Sequence, residues 1–150
     1  MTYQEKNITV AFTTYMLILV YYVINLVKMI QNGGLVSQRL FGLWGIVLVS
    51  VFLVNIVGSV LTNILLSIIY SIRTGSKHIP PFIADERDKL IGLKGVRISY
   101  FTFAFGVILS MVSFILGQTA LVMFSIIVFF SLFGELCGCL SKIYIYRRGF

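Results

Sequence analysis

Acidic side chains are scarce in this chain: five in 150 residues, against twelve lysines and arginines. Cysteine, proline and histidine are scarcer still, at two, two and one. Two cysteines, Cys137 and Cys139, are too few for a disulfide framework, and no histidine lies near them to complete a zinc site. In an apolar segment they read as small apolar filler. The prolines are adjacent, Pro80-Pro81, and end any helix that reaches them. The one histidine, His78, stands beside them with no acid or nucleophile at hand, so it reads as a surface residue and not as a general base. No glycine-rich phosphate loop followed by Lys-Ser/Thr, no H-E-x-x-H and no G-x-S-x-G occurs. The serines of the apolar runs have no partnering base. Neither catalysis nor a metal or cofactor is expected.

What the chain has instead is long stretches free of charge. Leu40 to Ile72 holds 33 residues without one charged side chain. Ile98 to Gly134 is longer, and Asn7 to Val27 is shorter. No soluble core needs helices that are apolar on every face over such lengths. A bilayer does, because its hydrocarbon slab of roughly 30 Å takes about 20 helical residues to cross. The composition agrees, with 59% hydrophobic residues against 11% charged, values that belong to the membrane class. The predicted fold is an all-α, integral membrane four-helix bundle forming one domain over 1–150. The spans fall at about 8–27, 40–72, 98–116 and 120–144, with a loop at 73–97. The N-terminus carries Glu5 and Lys6 and lacks the basic start of a signal peptide, so the first apolar run is expected to stay as a mature span.

The net charge of +7 raises the question of nucleic acid. Its distribution answers otherwise. With four spans, the N-terminus, the central loop and the C-terminus share a side, which holds ten of the basic residues. The other side holds Lys28 and Arg39 alone. That asymmetry predicts both termini in the cytoplasm, and contact with anionic lipid heads, not nucleic acid. Aromatic residues follow the same map. Tyr70, Tyr100, Tyr144 and Tyr146 gather at the inner boundary, and Phe41 with Trp44 at the outer one.

Turn chemistry supports the division. Gly33-Gly34 suits a short connection after span one, and Gly117-Gln118-Thr119 a tight one after span three. Asp85 is placed to cap a helix with Asp88 in its first turn. That helix is expected to lie at the interface and lead into span three.

Several residues are candidates for function. Glu135 stands about a dozen residues before Arg147, well inside the slab. Charging an isolated carboxylate there is expensive. Two readings follow: a proton or cation site, or a neutral carboxyl tying two helices by hydrogen bonds. Lys142 is two turns away and too distant for direct pairing; it reads as a snorkelling lysine. Span two carries a polar stripe, Asn55, Ser59, Thr62, Asn63 and Ser67. It lines a wet path together with Glu135, or it is interhelical glue. Span three has a row of small residues, Ser99, Thr102, Gly106, Ser110, Ser113 and Gly117, and span four has Gly134-x-x-x-Gly138. Small residues at these spacings read as packing or dimer surfaces. The segment Asp85-Glu86-Arg87-Asp88-Lys89 is either a solvated charge run or an ion-pair cluster with Arg147 and Arg148.

That charged segment before span three, with Lys94 after it and the terminal Tyr146-Arg147-Arg148-Gly149, resembles small prokaryotic four-span membrane proteins of unknown function. The resemblance implies a bacterial or archaeal cytoplasmic membrane and no activity. The expected function is a non-enzymatic regulatory, immunity or accessory subunit in the bilayer. It would dock a protein partner through Asp85, Glu86, Arg87, Asp88, Arg147 and Arg148, and self-associate. The rival is a small proton- or cation-coupled transporter or channel using Glu135, Asn55, Ser59 and Asn63.

Overall fold

The computed structural model describes residues 3–33, 36–74 and 86–148, with side chains for 7–33, 36–57, 64 and 86–148. Four helices make up the described residues: α1 (Tyr3–Gln31), α2 (Ser37–Thr74), α3 (Glu86–Ile115) and α4 (Ala120–Arg148). Each is long and apolar enough to cross a membrane. At about 1.5 Å per residue, the 30 residues of α3 measure about 45 Å, more than the hydrocarbon requires. The lead-in to span three is the first part of this one helix; no separate interfacial element precedes it within the described residues.

The connection between α3 and α4 is built from local chemistry. Gly117 takes φ +88°, a left-handed conformation that glycine adopts without steric penalty. Its N–H donates to the Phe114 carbonyl at 3.0 Å, and the Gln118 N–H to the Ser113 carbonyl at 3.2 Å. These are the two bonds of a Schellman cap. The Thr119 carbonyl then accepts from Val122 and Met123, opening α4. Gly33, at φ +110°, ends α1 by the same conformational freedom.

Many large apolar side chains stand exposed, and the buried set mixes apolar with polar residues. Ile115 is 81% exposed and Leu116 76%, while Ser110 is fully buried and Ser125 nearly so. Lipid tails are as apolar as leucine, so large aliphatic side chains gain nothing by facing inward, and contact goes to residues that pack closely.

α4 is the centre of the packing. One face lies against α3, through Phe130, Gly134, Gly138 and Lys142. The opposite face, with Ser125, Leu132, Leu136 and Cys139, meets α1 and α2. Among the described residues α3 touches α4 alone. The arrangement is therefore a group of α1, α2 and α4, with α3 clamped to the outside of α4, and not a closed four-helix ring.

The α3–α4 seam is made by glycines. A Cβ on Gly134 would lie 2.9 Å from the Ser99 carbonyl oxygen, and one on Gly138 would meet the Ser99 hydroxyl and lie 3.0 Å from the Gly95 carbonyl oxygen. On the α3 side, Gly95 faces the Lys142 stem and Gly106 the Phe130 ring. Of the small residues predicted to be packing or dimer surfaces, Ser99, Gly106, Gly134 and Gly138 pack at this seam, while Gly117 lies exposed in the turn.

α2 behaves differently along its length. Leu40, Leu43, Trp44 and Val47, spaced along one helical face, join Tyr22 and Leu132 in the main core. Trp44 is thereby buried, with its ring 5.0 Å from Phe41 and 5.9 Å from Phe124. Its Nε1 lies beside the Tyr22 hydroxyl without a hydrogen-bond partner. Trp44, placed by the sequence near the outer boundary, packs here against α4. Beyond Val51 the face turns outward, and Phe52, Leu53, Ile56 and Val57 are exposed. A gap of about 360 Å³ separates this part of α2 from the start of α1, lined by Asn7, Val10, Thr14, Leu53 and Val57.

Candidate functional site

The hydroxyls of the spans are mostly self-contained. Thr13, Thr14, Ser50, Thr102, Ser110, Ser113, Ser125 and Ser131 each donate to a carbonyl three or four residues earlier on their own helix. This satisfies the donor where no water is at hand. Tyrosines do the cross-helix work. The buried Tyr22 hydroxyl donates to the Ser125 carbonyl at 2.9 Å, tying α1 to α4. The Tyr15 hydroxyl donates to Asn55 Oδ1 at 3.0 Å, tying α1 to α2. The Tyr146 hydroxyl donates to Asp88 Oδ1 at 2.7 Å, tying the end of α4 to the start of α3.

Glu135 sits on the middle turns of α4, about 22 Å along the axis from its first residue and about 20 Å from its last. Its side chain is exposed on the lateral surface of the protein. Its neighbour Gly134 brings α3 close, so Glu135 stands at the edge of a close helix–helix contact. It lines an open groove of about 340 Å³ with Val96, Ser99, Tyr100 and Phe103 of α3 and Ser131 of α4. Its carboxyl makes no hydrogen bond or ion pair with another described residue. The helix-tying reading of this residue therefore finds no partner within the described chain.

Of the predicted path residues, Asn55 is linked to the surroundings of Glu135 through Tyr15. Its Nδ2 donates to the Val51 carbonyl at 2.9 Å, and Tyr15, which donates to its Oδ1, lies within electrostatic reach of Glu135 and Cys139. The groove itself takes its lining from α3 and α4, with no contribution from α2. The side chains of Ser59 and Asn63 lie outside the described residues.

At the far ends of α3 and α4 a second polar region is ordered. Ile91 is 1% exposed and Gly95 is buried against Lys142, so the first turns of α3 are packed onto the end of α4. Glu86, Arg87 and Lys89 are exposed, and Asp88 is half-buried on Tyr146. Arg147 is exposed, and the Arg148 guanidinium stands 5.5 Å from the centre of the Tyr144 ring. Asp85 lies outside the described residues. The start of α3 and the end of α4 meet here, and the observed link is the bond from Tyr146 to Asp88. Tyr146 was assigned to the aromatic belt. The tying role of Tyr15 and Tyr22 was missed, although their spacing of two helical turns is the signal that places both on one face.

Together these features define a multi-pass α-helical membrane protein. Comparison with protein-family models, with curated proteins and with solved structures finds no match.

Proposed function

We propose that this is a non-enzymatic protein of a prokaryotic cytoplasmic membrane, with both termini in the cytoplasm. It acts by contact, as a regulatory, immunity or accessory subunit, and self-associates in the bilayer. The observation that carries this reading is the tied platform of α3 and α4. The buried Ile91 and the Tyr146–Asp88 bond hold two helix ends together, and on them Glu86, Arg87, Lys89, Arg147 and Arg148 are displayed. Charges of both signs on an ordered support suit recognition of a protein partner better than lipid contact alone. The ten-to-two division of basic residues supports the cytoplasmic side.

The test is crosslinking from the platform in native membranes, followed by identification of what is captured. Wild-type protein is expected to capture a cytoplasmic or membrane partner, and Glu86→Lys with Arg87→Glu to lose it. Self-crosslinks alone would remove the accessory reading, and labelling of terminal tags from outside intact cells would remove the topology.

Glu135 favours a second reading, a small proton- or cation-coupled transporter or channel. An unpaired carboxyl in mid-membrane is a functional group by default. Proton or ion flux in liposomes that disappears in Glu135→Gln supports that reading.

A further inference from the structure

We infer that the lateral groove between α3 and α4 is a binding site for a lipophilic organic cation. The site deepens the second reading, since it names the class of ligand that Glu135 would hold.

The chemistry follows from what lines the groove. Glu135 supplies one negative charge, with no basic side chain paired to it among the described residues. Lys142 shares its face two turns further on, but its stem lies across Gly95 on the α3 side, about 10 Å along the axis. Tyr100 and Phe103 supply aromatic rings, which attract a weakly hydrated cation. Ser99 and Ser131 add the only other polar side chains, and the Ser131 proton is already given to the Val128 carbonyl. Its oxygen can accept but not donate, which again suits a cation.

The alternatives fit less well. A divalent metal ion wants six or more oxygen ligands, and this groove offers one carboxyl and three hydroxyls. An anion would face Glu135 with no compensating base. A lipid tail would leave the carboxyl unpaired in hydrocarbon. An organic cation with apolar substituents satisfies both halves of the lining at once. The volume, about 340 Å³, lies within the range of small-molecule sites. The groove opens sideways, so such a ligand enters from the bilayer, where it already partitions.

The experiment uses the full chain in lipid nanodiscs, with tetraphenylphosphonium as the probe and equilibrium dialysis as the readout. Saturable binding is expected. Glu135→Gln should weaken it by about tenfold or more, the loss of one charge pairing. Glu135→Asp keeps the charge and should retain binding within about threefold, and Tyr100→Ala should weaken it several-fold. Because Glu135 is exposed and its carboxyl makes no hydrogen bond or ion pair with another described residue, these variants are expected to fold. Equal binding by wild type and Glu135→Gln overturns the site. So does spontaneous disulfide formation between copies through Ser131→Cys with no probe bound, which would show a second chain filling the groove. Flux of the same probe and of protons, measured in liposomes, separates the two ideas. Binding without flux leaves the site standing and removes the transport reading. Proton flux abolished in Glu135→Gln, with no probe bound, removes the site and leaves that reading.

Discussion

α2 and the α3–α4 hairpin meet the same lipid in opposite ways. α2 is the longest helix and its described span is the most apolar of the four, yet its core contacts come from one face over 40–51, beyond which Asn55 holds Tyr15 while Phe52, Leu53, Ile56 and Val57 are exposed. α3 carries a charged first turn and a row of serines and glycines, yet it is bound to α4 along most of its length. Hydrophobicity decides whether a helix enters the membrane; it does not decide what the helix then touches. Contact between helices in lipid comes from close approach, which glycine and serine permit and leucine prevents.

The contrast is sharpest if the seam is filled. Gly134→Leu with Gly138→Leu places side chains where the Ser99 and Gly95 backbone already lies. We expect α3 to separate from α4, at ~3 kcal/mol in equilibrium unfolding in mixed detergents, while all four helices still insert. Insertion lost together with packing would mean that the two are one event, against the comparison. Next in size is Leu132→Ala, at the 1%-exposed centre of the main core. A cavity there should cost about 2 kcal/mol in the same assay.

Tyr22→Phe removes the bond to the Ser125 carbonyl and should cost about 1 kcal/mol, in line with interhelical hydrogen bonds in membranes. Tyr15→Phe should cost less, because its partner Asn55 is exposed and bonds the Val51 carbonyl as well. Smallest is Gly42→Ala or Gly45→Ala on α2, where an added Cβ meets nothing within 4 Å. A change within about 0.5 kcal/mol is expected. A penalty as large as that at the seam would mean that a second copy covers this face of α2, and would turn the comparison into one between internal and external packing.

The spans were legible in the sequence because charge is excluded from hydrocarbon over a fixed thickness; three of the predicted spans lie within an observed helix, and the third overruns α3 by one residue. The turn at Gly117 was legible because few residues other than glycine accept its backbone angles. Partner choice was harder to read. Serines at regular spacing look alike whether they bond a neighbour or their own backbone, and Ser131 and Thr102 do the latter. Trp44 has the composition of an interfacial anchor, but its neighbours Leu43 and Val47 draw that face into the core. For Glu135, depth was evident from its distance to Arg147. Its lateral exposure was not, because that depends on α3 occupying only one side of α4.

α4 carries Glu135 at mid-depth and Tyr146 three turns later, about 16 Å along one axis. A continuous helix without proline carries rotation from one point toward the other. Whatever settles against the carboxyl and turns that helix by a fraction of a residue also shifts the tyrosine that clasps Asp88. The membrane-embedded groove and the charged surface at the helix ends are in this sense two stations on a single shaft.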